Sequence, residues 1–250
     1  MIEDVLARVD QLKGETASDD PLVIAKHLKI ETVPMEGSIK GYAMHISVIE
    51  LIGYNVNLNA IWQSFSTWHE LTHVFDKHIY EPGVSFLCDG SFCEESVYSN
   101  NIPRHERIAN FAAAHAVLND DDVMEATGFS IPAYREYRKL SAEYTKFCRR
   151  YEDLRDVIRF SRPSRSMLTQ LNNLRRSIHS TSEELKELED ELVNCYGPRT
   201  LEDAACDLGT EIRILEYKLE GMRLRGLDID PHELEQYNKM FEGVFAADNM

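Results

Sequence analysis

His69, Glu70 and His73 stand in the run HELTH. Residues four apart on a helix share a face, so both imidazoles can reach one metal ion while Glu70 projects beside them. A carboxylate so placed can take a proton from a metal-bound water, whose pKa zinc lowers to about 7, making hydroxide available at neutral pH. With 9 histidines in 250 residues, a chain of this composition shows the HExxH pattern by chance in about 0.03 cases. The plain alternative is a surface or core helix that happens to carry two histidines. A catalytic zinc needs a third protein ligand and an open position for water. Glu106, at the start of the next strongly helical segment, is the best candidate. Asn110, one turn later on the same face, could orient a ligand imidazole or simply pack.

The elements that must position these residues are legible in the pattern. A short helix is expected over 2–13, then a break at GETASDD, then a helix begun by Asp20 with Pro21 at its first position. Residues 30–58 are β-rich runs punctuated by Gly37, Gly41 and Gly53, read as two or three antiparallel strands. Trp62, Phe65, Thr72 and Phe75 recur at helical spacing, which predicts an amphipathic helix over 61–78 with the motif in its middle. After a loop over 81–102 come a helix covering RHERIANFAAAHAVL and a shorter one over 120–127. Beyond residue 130 apolar residues alternate steps of three and four, most clearly from Leu171 through Ile178 and Leu185 to Cys195, and again from Leu201 to Met222. The turn YGPRT between those two seams predicts an antiparallel helical hairpin over roughly 165–225, and a last helix is expected near 231–245.

About the first 140 residues resemble the ImmA/IrrE-type zinc metallopeptidases of bacteria, phages and mobile elements. The residues that carry the resemblance are DPLVIAKHLKIETV, KGYAM, NVNLN, STWHELTHVFDKH, ERIANFAAAHAVL and TGFSIPAYREYRKL. It implies that Glu106 is the third metal ligand and that the substrate is a regulatory protein, typically a helix-turn-helix repressor. Ala112 stands where the family usually has Phe, and Asn119 where it usually has Pro. The expected fold is α+β: a small antiparallel sheet packed on zincin-like helices, followed by a long C-terminal α-helical, coiled-coil-like hairpin. A metallopeptidase domain is expected over 1–129 and a helical domain over 130–250. The expected activity is that of a zinc metalloendopeptidase, with Glu70 as general base, His69, His73 and Glu106 as ligands of Zn2+, and Asn110 behind them. No oxyanion-stabilising residue is assigned; Tyr42, His78, Tyr98 and His105 are candidates. Cys88 and Cys93, in CDGSFC, could place a regulatory thiolate on the metal, or could be loop cysteines without a role.

Charge and cysteine usage bound the remaining choices. The formal net charge of −16 disfavours nucleic acid as a partner. The charge is uneven, however: residues 1–129 carry 8 basic and 20 acidic side chains, whereas 130–225 carry 18 and 17. The basic concentration runs through Lys146, Arg149, Arg150, Arg155, Arg159, Arg162 and Arg165, against Glu152, Asp153 and Asp156; such a run is usually the wet face of a long helix. Five cysteines, an odd number scattered over the chain, do not read as a secreted disulfide framework, and no run of 18 apolar residues occurs. The acidic, amphipathic N-terminus lacks a signal-peptide pattern, so a cytoplasmic protein without a membrane anchor is expected. The hairpin is read as a docking surface for the protein substrate or for a second copy of the chain, or as purely structural. The competing function is a non-catalytic regulator that binds a partner protein or DNA through the helical arm.

Overall fold

The structure is a computed structural model, and it describes residues 2–46, 48–77, 86–88, 101–195, 200–227 and 229. Contacts divide the chain into two compact units. The first holds the residues up to Ala126 and the segment that returns from Leu201, and the second begins at Thr127 and runs to Thr200.

The first unit opens with α1 (Ile2–Thr16) and α2 (Pro21–His27). Asp20 caps α2 by accepting a hydrogen bond from the Leu22 amide at 2.8 Å, and Pro21, which has no amide hydrogen to satisfy, starts the helix. Strands β1 (Glu31–Met35), β2 (Gly41–Ile46), β3 (Ile49–Asn55) and β4 (Phe86–Cys88) form one sheet in the order β1-β3-β2-β4. The sheet is mixed, which corrects the antiparallel expectation: β2 pairs antiparallel with β3 and β4, but β1 runs parallel to β3. The β2–β3 hairpin folds back so that its second strand lands beside β1, pointing the same way. Pro34 is tolerated because β1 is an edge strand, where a missing amide hydrogen breaks no interior ladder.

Helix α3 (Ala60–Phe75) follows, its first turn capped by Asn59, whose side chain accepts from the Trp62 amide. It is the central element of the unit: every residue from Phe65 to Val74 is buried. Three of those residues carry hydroxyls, and each donates back to its own helix, Ser66 and Thr67 to the Gln63 carbonyl and Thr72 to that of Trp68. A helix buried on all sides can therefore hold polar side chains at little cost. Helices α4 (Arg104–Val117) and α5 (Asp120–Ala126) come next. Ala109, Ala112, Ala113 and Ala114 of α4 are fully buried, and their small side chains let it lie close against α3. Asn119 caps α5, its side chain accepting from the Asp121 amide at 2.8 Å.

The returning segment forms α8 (Leu201–Asp207) and α9 (Ile212–Leu224). Sequence periodicity joined these into one seam of a hairpin over 165–225. Instead the helix stops at Gly209, whose φ of +62° suits a residue without a Cβ, and α9 packs on α4. Tyr217 meets Phe111 edge to face, with ring centroids 5.4 Å apart.

The second unit contains the hairpin that does form. Helices α6 (Pro132–Phe160) and α7 (Arg165–Cys195) pack on each other across the short connection 161–164. Leu154 and Ile158 of α6 and Leu171, Leu174 and Ile178 of α7 lie half-buried, as a two-helix seam leaves them. Before α6, Phe129 packs against Tyr134 with centroids 5.7 Å apart, and Arg138 lies over the same ring. Among the described residues no helix is long and apolar enough to cross a membrane. The helix expected near 231–245 lies outside the described residues.

Candidate metal centre

The i, i+4 spacing in α3 sets the His69 and His73 rings edge to face, centroids 4.8 Å apart, with their Nε2 atoms 3.1 Å from each other. Both side chains are fully buried. The close approach of α4 brings Glu106, in its first turn, to the same point: Oε2 lies 3.0 Å from His69 Nε2 and Oε1 lies 3.6 Å from His73 Nε2. One turn further along α4, the Asn110 side-chain oxygen lies 2.9 Å from His69 Nδ1. Among the described residues this is the one group of three or more His, Cys, Asp or Glu side chains able to share a metal ion, its ligand atoms all within 4.8 Å of one another.

The hydrogen bonding bears on what the group could hold. An amide oxygen only accepts, so the contact with Asn110 places the proton on His69 Nδ1. In the neutral ring Nε2 then carries a lone pair, and it faces a carboxylate oxygen and a second imidazole nitrogen. Three acceptors converging at 3.0–3.6 Å would repel one another, so a proton or a metal cation must lie among them. The spacing is right for a small divalent ion, since bonds of about 2.0–2.1 Å in a tetrahedral site put the ligand atoms about 3.3 Å apart. When protons rather than a metal fill the centre, burial pushes the Glu106 carboxyl up, but hydrogen bonds from His69 and His73 and their charges outweigh it and hold the group well below the usual carboxylate range. It therefore faces the imidazoles as an anion, the state a metal ligand requires.

Glu70 is fully buried beside this cluster. Its side chain runs against the backbone of Gly41 at the start of β2, so closely that a Cβ added there would sit 2.8 Å from Glu70 Cγ and 2.9 Å from Oε1. Gly41 is thus the floor under the carboxylate, a role the β-rich pattern around it did not reveal. A glycine opening an alternating strand was the available signal, because it marks close backbone approach.

The other candidate residues divide. The Tyr42 ring lies over Gly53 of the facing strand, where any Cβ would collide with it, so Tyr42 covers the sheet. His105, beside Glu106, has its ring centroid 6.0 Å from that of His73 and its Nε2 3.5 Å from Glu106 Oε1, and a third of its side chain is exposed at the rim of the cluster. His78, Tyr98, Cys93 and the side chain of Cys88 lie outside the described residues.

Comparison with protein-family models, curated proteins and solved structures found no match to this chain.

Proposed function

We propose that this chain is a zinc-dependent endopeptidase of the ImmA/IrrE type that cuts a regulatory protein, of which a helix-turn-helix repressor is the expected class. One observation carries the reading: His69, His73 and Glu106 converge at the spacing of a three-ligand metal site, and Glu70 sits on the same helix between the two histidines. Two imidazoles and a carboxylate are a donor set suited to catalytic zinc, with a fourth position left to solvent.

Zinc in that position would polarise the scissile carbonyl and lower the pKa of the attacking water to about 7. Glu70 takes a proton from that water as its oxygen bonds to the carbonyl carbon, then delivers it to the amide nitrogen as the C–N bond breaks, leaving a carboxylate and an amine. Asn110 fixes the ring orientation and tautomer of His69. Of the four candidates for the oxyanion donor, His105 is the one beside the cluster, with its Nε2 3.5 Å from Glu106 and its side chain partly exposed at the rim.

The test is co-expression with regulators encoded beside the gene, followed by assay of the purified pair. Glu70→Gln should retain metal while cleavage falls by about 10²- to 10⁴-fold. Equal regulator loss with both versions, or none with either, would favour the non-catalytic regulator that acts through its helical arm.

A further inference from the structure

Residues 157–182, the distal parts of α6 and α7 with the turn between them, contain no Asp or Glu and five arginines: Arg159, Arg162, Arg165, Arg175 and Arg176. All five are exposed. Ion pairs on the hairpin join Lys139 to Glu136 and, at the edge of this stretch, His179 to Glu183 when the imidazole is protonated, but none of the five arginines joins one among the described residues. Unneutralised, exposed arginine is unexpected in a chain of net charge −16, in which acidic partners abound.

The acids of α7 begin at Glu183, 18 residues from Arg165, about 27 Å along the helix and more than two Debye lengths at physiological salt. Arg176 is 7 residues from Glu183 and Arg159 is three from Asp156, so the charge is least offset at the tip, around Arg162 and Arg165. Five of the nine residues between Arg165 and Arg175 carry hydrogen-bonding side chains: Ser166, Thr169, Gln170, Asn172 and Asn173. Arg175 and Arg176 line a groove together with Asn172, His179 and Tyr144. At the tip, Ser164 caps α7, which adds the positive end of the helix to the same surface.

We propose that the tip of the α6–α7 hairpin binds the phosphate backbone of duplex DNA. The basis is five exposed arginines that join no ion pair among the described residues, in an acid-free stretch of two helices; one of them, Arg159, lies over the Phe160 ring. Arginine is suited to paired contacts with phosphate oxygens, and hydroxyl and amide side chains supply further donors to the backbone. Single strands, and RNA loops, are gripped by stacking their bases on aromatic side chains. Phe160 is the one Phe, Tyr or Trp in this stretch, and Tyr144 joins the groove, so the surface offers isolated rings and not the row of them on which successive bases stack. Contacts are to phosphates rather than base edges, so the binding is independent of sequence and steeply dependent on salt. The inference does not depend on the peptidase reading.

The experiment is a fluorescence-anisotropy titration of a short labelled duplex with the full chain, from about 50 to 200 mM salt. Five phosphate contacts predict that log affinity falls with log salt with a slope of about −4 to −5. Replacing Arg159, Arg162 and Arg165 together by alanine should reduce that slope by nearly 3, about 0.9 per contact, and weaken binding more than about tenfold at the lowest salt. Arg175→Ala with Arg176→Ala should weaken it in the same direction. Lys186→Ala, on α7 beyond the acid-free stretch, should leave it unchanged. Helix content and Tm should hold in every variant, because the side chains removed are exposed. Absent binding at the lowest salt, or full binding by the triple variant, would overturn the proposal. So would tighter binding to duplex RNA or single-stranded DNA, or equal competition by polyglutamate, which would make the tip a surface for another partner.

Discussion

Two helix pairs in this molecule solve opposite problems. In α3 and α4 polar groups point inward: His69, Glu70, His73, Glu106 and Asn110 are all buried, held where alanines let the helices approach and where hydroxyls are satisfied within α3. In α6 and α7 apolar residues point inward along a half-buried seam and the charged residues face water. The first arrangement is kept only if many contacts agree on one geometry, because buried polar atoms are costly when misplaced. The second needs little beyond its seam and leaves its outer face to be set by other demands. A substitution in the first pair should therefore change chemistry and stability together, whereas one on the outside of the second should change only what the surface meets.

The sharpest way to break this contrast is at Gly41. Gly41→Ala drives a methyl group into the Glu70 side chain without touching a ligand, and a displacement of about 1 Å can lower turnover by about 10²-fold. Metal content should be unchanged, so activity and metal loading measured on the same sample separate the two effects. Next in size is Asn110→Ala, which removes the acceptor that fixes the His69 tautomer. Metal affinity should weaken by about 10- to 100-fold, read by chelator competition.

The stability arm compares like with like. Leu71→Ala, at a fully buried position in α3, should cost about 2–5 kcal/mol in denaturant unfolding. Leu174→Ala, half-buried in the hairpin seam, should cost about 1 kcal/mol, because less apolar area returns to water. Equal losses at both positions would mean that the hairpin is as fully packed as the core.

The smallest effect concerns the clasp between α4 and α9. His115 lies 2.7 Å from Asp10, and the buried Lys218 reaches His115 and, at 2.6 Å, Asp120, which Arg225 also binds. Burial pushes the His115 pKa down; the Lys218 charge adds to this and Asp10 opposes it. The unfolded chain therefore takes up a proton that the native state resists. Stability should fall as pH drops below about 6.5, the unfolded value. Burial raises Asp120, but Lys218 and Arg225 outweigh it and hold it low, so its contribution is lost only at lower pH. His115→Gln should flatten the first decline, by a few degrees of Tm between neutral and mildly acid solution.

Much of this was legible from residue order because it is local. HELTH on a helix, the Asp20 cap with Pro21, and the alanines of α4 are all statements about residues within a few positions of one another. The rest depends on partners far away in the chain. Periodicity told that Leu215, Leu219 and Met222 share a face, but not that the face meets α4. The clasp joins His115 to Lys218 and Asp120 to Arg225 across about a hundred residues, and no pattern announces it. The parallel pairing of β1 with β3 was hidden for the same reason, since strand composition gives no direction.

The central claim is that His69, His73 and Glu106 form one metal site. Elemental analysis of the purified chain tests it most directly, alongside His73→Ala and Glu106→Ala. About one zinc per chain is expected in the wild type, with a large loss in each variant. A wild type that stays metal-free after incubation with zinc, or variants that load as fully as it does, would contradict it.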